Sequence, residues 1–210
     1  ISSAETEGFC VQDYSLGLAL FDYIPVLLSA FGLYLLADTI ARNTPQARLA
    51  VMSGVILVTA GGLSKASWKL TWVLTQTDIS LLNNLLFILM APGMILLASH
   101  LLAGSGKALA TLKPESRAWF FTLLGAASIA NITISIALIG QSWRHQQRLT
   151  AAIFLFSILL ILSLSGLSRI SAGSAPLQWL AEILNTLAHG SFALAIWRLR
   201  GVILSPPTRV

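Results

Sequence analysis

The residues best equipped for chemistry in this sequence stand inside an otherwise apolar segment. Gly61-Gly62-Leu63-Ser64-Lys65-Ala66-Ser67-Trp68-Lys69-Leu70-Thr71-Trp72 fills the second half of the stretch Leu49–Leu74. Lys65 and Lys69 are four apart, so on a helix they share one face, with Trp68 and Trp72 beside them. Two ammonium groups at that spacing repel each other, and the repulsion grows as the dielectric falls. The pair therefore calls for a carboxylate or an anionic ligand between them, or for one of the two to be neutral. Asp22 is the acid at matching depth, and Asp78 in the adjoining turn is the alternative. One reading is a lined cavity that binds an anionic headgroup or small solute. The other is that both lysines snorkel to the headgroups while Asp22 caps a helix. Lys69 suits snorkelling; Lys65, roughly 13 Å from Leu74 at the rise of a helix, suits it less.

A second polar stripe runs through Glu182, Asn185 and His189, spaced three and four apart. It must face protein or water rather than lipid. A carboxylate and an imidazole in line can relay protons. The plainer reading is interhelical hydrogen bonding, with Glu182 paired to Arg169 or His100 and the face Ala127, Asn131, Ser135 receiving the stripe. Asn83 and Asn84 add polar groups early in another apolar segment. His100, His145 and His189 are too scattered to point to a metal or haem site. No nucleophile elbow is present, and Gly104-Ser105-Gly106-Lys107 lacks the first glycine and the preceding strand of a phosphate loop. No catalytic residue, metal ligand or cofactor is assigned.

These residues must be positioned by membrane helices. Of 210 residues, 56% are hydrophobic and only 10% charged, against about 25% charged in soluble domains. The mean hydropathy is +0.80. The chain reads as an all-α integral membrane protein. Its net charge of +5 sits in short loops and helix ends, as membrane flanks do, with no basic face or nucleic-acid motif. The single cysteine, Cys10, excludes an intramolecular disulfide.

Six segments approach the roughly 20 apolar residues of a transmembrane helix: about 23–41, 49–74, 79–102, 118–140, 149–167 and 177–199. They form a domain over 16–201, after a polar segment 1–15 and before a short tail 202–210. Asp22 reads as the N-cap of the first helix, with Pro25 in its first turn. Thr75–Asp78 leaves room only for a tight turn, so the second and third helices are antiparallel neighbours. Pro92-Gly93 predicts a kink in the third. A polar connection, Ala103–Arg117, precedes the fourth. Trp72, Trp119, Trp143, Trp179 and Trp197 fall near helix ends, as an interfacial belt requires, and Trp68 lies deeper.

Strict alternation sorts the polar groups by depth. With the N-terminus on side B, that side receives Asp22, Tyr23, Lys65, Lys69, Asn83 and Asn84. Side A receives His100, Arg169 and Glu182, while Asn131 and His189 lie near the midplane. Basic loop residues then divide almost evenly: Arg42, Arg48, Lys107, Lys113, Arg117 and Arg169 on A, Arg144, Arg148, Arg198, Arg200 and Arg209 on B. Such a balance sets no orientation. It fits two inverted three-helix halves, a plan common among transporters, which a weak match of Ala91-Pro92-Gly93-Met94 to Ala188-His189-Gly190-Ser191 also supports. It also fits a fourth segment that does not cross, giving five crossings and one strongly basic side, but Trp119–Gly140 is long and apolar enough to favour six crossings.

The functional expectation is a multi-pass transporter or channel-like protein. Its pathway would run from Asp22, Lys65, Trp68, Lys69, Asn83 and Asn84, past Asn131 and His189, to Asn185, Glu182 and His100. The alternative is a non-catalytic transmembrane subunit whose polar residues meet partner helices or bound lipid; an intramembrane lipid-modifying enzyme comes third. The expected partners are the lipid bilayer and other membrane subunits, not nucleic acid.

Overall fold

A computed structural model describes residues 15–103, 119–167 and 174–203. The polar N-terminal segment to residue 14, most of the connection before the fourth segment, Arg169 and the tail from residue 204 lie outside the described residues. The apolar runs all fold as helices, and no strand occurs among the described residues. They are α1 (Leu16–Phe21), α2 (Tyr23–Asn43), α3 (Arg48–Thr75), α4 (Ser80–Ala103), α5 (Trp119–Arg144), α6 (Arg148–Leu167) and α7 (Ala175–Ile203), with a 3-10 turn at Pro45–Ala47. Four stretches are long and apolar enough to cross a membrane: Leu16–Asn43, Pro45–Thr75, Ser80–Leu102 and Gly125–Arg144.

Asp22 does not act as the predicted cap. It keeps right-handed helical angles between α1 and α2, and its side chain makes no capping hydrogen bond. Ser15 caps α1 instead, accepting from the Leu18 N–H. The sharp turn after α3 forms as expected: Gln76 takes a left-handed φ of 52° and donates its N–H to the Trp72 carbonyl. Pro92 lies inside the continuous helix α4.

The six long helices close into a ring, each packed on two neighbours in the order α2, α3, α4, α5, α6, α7 and back to α2. The tightest seam is α3 on α4, where glycines bring backbones together. A Cβ on Gly54 would meet the Gly93 carbonyl oxygen at 2.9 Å, and one on Gly93 would meet the Gly54 oxygen at 2.7 Å. The interior carries Leu33, Leu36, Val51, Leu97, Ile134, Phe154 and Leu199, all but fully buried. The outside is as apolar as the inside: Leu27, Ile56, Ile129, Ile136, Leu159, Leu187 and Leu194 are exposed around the ring. Large apolar side chains turned outward over a whole bundle are a liability in water and a requirement in lipid.

The helix directions overturn strict alternation. At one end Asp22, at the start of α2, and Glu182, near the start of α7, meet on a shared lysine. At the other end Asp38 of α2 pairs with Arg200 of α7. The first and last long helices therefore run the same way, whereas six alternating crossings would make them opposed. The C-terminal ends of α2, α4, α5 and α7 converge around Asn43, Leu101, Arg144 and Arg200. Two inverted three-helix halves do not describe this arrangement, and Glu182 lies at the Asp22 end rather than the end opposite it.

The glycine seam predicts a sharp contrast. Gly93→Ala should cost about 1–3 kcal/mol through overpacking against the α3 backbone. Gly125→Ala, where a Cβ would meet nothing within 4 Å, should be neutral or stabilising by up to about 1 kcal/mol. Thermal unfolding of both variants in detergent checks it.

Candidate functional site

The repeat of polar residues every three or four positions on α3 and α7 turns one face of each helix toward the ring interior. On α3 the face holds Thr59, Gly62, Lys65 and Lys69; on α7 it holds Gln178, Glu182, Asn185 and His189. Between them, with α1, α2, α4 and the end of α6 completing the wall, lies a cavity of about 550 Å³. Its residues range from Leu18 and Gln178 near the Asp22 end to Met90 and His189 in the middle of the bundle. A volume of that size falls in the range of small-molecule sites.

At the wide end three helices meet on one ammonium group. Lys69 Nζ of α3 lies 3.0 Å from Asp22 Oδ2 and 2.5 Å from Glu182 Oε1. All three side chains are about nine-tenths buried. Withdrawing a charge from water is tolerable only where a partner and hydrogen bonds replace the hydration, and here each carboxylate is held by the same cation. One ammonium between two carboxylates leaves a formal charge of −1. Lys65, one turn deeper on the same face, is the second lysine of the cavity and has no ion-pair partner among the described residues.

Several further groups around this cavity have unmet hydrogen-bonding capacity. Thr59 Oγ1, Gln178 Oε1 and Glu182 Oε2 are buried without a hydrogen-bond partner among the described residues, and all three residues line the cavity. Leaving such groups unsatisfied is costly, about 1–3 kcal/mol each, unless water or a ligand completes them. The rim is more settled. Trp68 Nε1 donates to Asp78 Oδ1 at 2.8 Å, Tyr23 and Ser67 join their hydroxyls at 3.1 Å, and Ser64 donates to the Leu82 carbonyl at 2.8 Å.

Below His189 the interior turns apolar. Leu33, Met94, Leu97, Ile134, Phe154 and Phe192 fill it, with the two phenylalanine rings edge to face at 6.0 Å. Beyond this belt a smaller cavity of about 240 Å³ opens among the far ends of α2, α4, α5 and α7. Its walls are mainly Leu36, Ile40, Leu138, Ile196 and Leu199. Asp38 Oδ2 closes that end by accepting from Arg42 Nε at 3.0 Å and Arg200 Nη2 at 2.6 Å. Two cavities thus stand on either side of an apolar belt.

The structure gathers Asp22, Lys65, Trp68, Lys69, Asn83, Glu182, Asn185 and His189 around the one cavity. It leaves out the other three expected residues. Asn84 is exposed and does not line the cavity that Asn83 lines. His100 lies near the other end of α4, its Nδ1 at 2.9 Å from the Leu96 carbonyl of its own helix. Asn131 sits on α5, which contributes nothing to the cavity wall. Glu182 pairs with Lys69, not with His100, and Arg169 lies outside the described residues. Asp78, the alternative acid for the lysines, is bonded to Trp68. Thr59 and Gln178 escaped the sequence reading although both continue its stripes: Gln178 is four before Glu182, and Thr59 is three before Gly62. The Asp38–Arg200 pair left no comparable signal, since its partners lie 162 residues apart. Comparison with protein-family models, curated proteins and solved structures finds no match.

The two lysines should part company in stability. Lys69→Met strands two buried carboxylates and should cost about 3–5 kcal/mol. Lys65→Met removes a lysine with no ion-pair partner among the described residues and should change stability by less than about 1 kcal/mol. Denaturation of both variants in the same detergent measures the difference.

Proposed function

We propose that the chain is a multi-pass membrane transporter for a small polar solute, with the cavity between α3 and α7 as its binding site. The observation that carries this reading is a solute-sized polar chamber inside an apolar-surfaced ring, ending at an apolar belt with a second opening beyond it. A ligand-free structural core would fill that volume with side chains or satisfy its polar atoms. Here Lys65, Thr59, Gln178 and Glu182 offer charge and hydrogen bonds that packing leaves unused. Discontinuous access, one cavity at each end of a closed belt, is the form alternating access takes when a site faces one side at a time. In this reading Lys69 with its two carboxylates ties α3 to α2 and α7 at the site. Asp38 with Arg200 holds the same two helices shut at the far end, and would have to part for release.

Thr59→Cys and Asn185→Cys, in a Cys10→Ser background, should react with a water-soluble methanethiosulfonate reagent, while Leu97→Cys in the belt should not. In proteoliposomes, modification at Thr59→Cys should block uptake of the transported member of a panel of tritiated amino acids, carboxylates and organic phosphates. Flux no greater than that of empty liposomes across the whole panel would dismiss the transporter.

A further inference from the structure

Resting on the transporter reading, we propose that the solute is a small zwitterion, its anionic group held by Lys65 and its ammonium group by Glu182 and Gln178. The two acids and two lysines of the cavity, Asp22, Glu182, Lys65 and Lys69, have formal charges that sum to zero. A simple anion or a simple cation would enter as an uncompensated charge, which a low-dielectric chamber penalises heavily. A zwitterion adds no net charge and can satisfy both signs of unmet group. Those groups are already segregated. Lys65, on the α3 wall, supplies N–H donors and has no acid partner among the described residues. Glu182 Oε2 and Gln178 Oε1, on the α7 wall, are acceptors without a donor, and their spacing of four puts them on one helix face. A molecule bridging α3 and α7 would thus present a carboxylate or phosphate to one wall and an N–H group to the other. Thr59, Asn185 and His189 remain to orient the rest of it.

The test measures binding to the purified protein in detergent, independently of flux, by isothermal titration. The probes are a set of α-amino acids, each beside its N-acetyl derivative (anion only) and its methyl ester (cation only). At least one amino acid should bind about thirtyfold or more tightly than either derivative. Lys65→Met should weaken it by a similar factor, the loss expected for a buried charge pair, and Lys65→Arg should hold it within about tenfold of the original. A derivative that binds as tightly as its parent, or a set in which nothing binds, overturns the zwitterion. Binding without uptake in proteoliposomes would keep the zwitterion site and remove the transporter.

A second inference rests on the arginines alone: we infer that the Asp38 end faces the cytoplasm. The helix directions bring Arg42, Arg48, Arg144, Arg148, Arg198 and Arg200 to that end, with Asp38 as its one acid among the described residues. The opposite end holds Lys65 and Lys69 against Asp22, Asp78 and Glu182, and no arginine among the described residues. Excess arginine close to helix ends marks the cytoplasmic side, so the large cavity belongs to the side away from the cytoplasm. With Cys10→Ser, Thr77→Cys should label with an impermeant maleimide on intact cells, and Gln146→Cys only after permeabilisation. The reverse pattern, or labelling of both on intact cells, overturns the orientation.

Discussion

A single ammonium group held between two carboxylates fixes the relation of three helices in this protein. Lys69 is too deep and too enclosed to be hydrated, so its charge must be met by protein. Asp22 and Glu182 meet it from α2 and α7, at 3.0 and 2.5 Å. Because both acids stand near the starts of their helices, the pairing forces α2 and α7 to run side by side in one direction. Arg200 and Asp38 repeat the constraint at the other end at 2.6 Å. The ring closes on these two clasps, and everything between is decided by what the remaining space must hold.

What it holds differs from end to end. Gly54 and Gly93 draw α3 onto α4 until only backbone separates them. Phe154 and Phe192 fill the middle of the ring. Toward the Asp22 end the small residues Gly62, Thr59 and Ser29 leave a chamber edged by charge. Small residues make the space, and Lys65 gives it polarity. An apolar surface on the outside makes lipid the solvent that the ring as a whole prefers.

Much of this was legible in residue order, because hydropathy and spacing act locally. The helix boundaries, the tight turn before α4, the shared face of Lys65 and Lys69, and the pairing of Asp22 with a lysine at the same depth all follow from periods of three and four. The stripe of Glu182, Asn185 and His189 does face the interior. Its end of the bundle was not legible. That assignment depends on how many times the chain crosses before α7, and counting apolar segments cannot say whether successive helices are opposed. The same step misplaced Arg144, Arg148, Arg198 and Arg200, and turned a charge asymmetry into an apparent balance. Asn131 shows the limit of residue type: a polar group on an apolar helix need not belong to the site when its own face points elsewhere.

The most direct test of the central ion cluster compares Lys69→Met alone with Lys69→Met combined with Asp22→Asn and Glu182→Gln. If Lys69 serves to neutralise two buried carboxylates, the single variant should be severely destabilised and the triple variant should recover most of the loss, since uncharged side chains no longer need the cation. Thermal unfolding of the three proteins in one detergent reads the result. Losses that simply add would mean that the three residues do not form one buried cluster, and would contradict the account from its foundation.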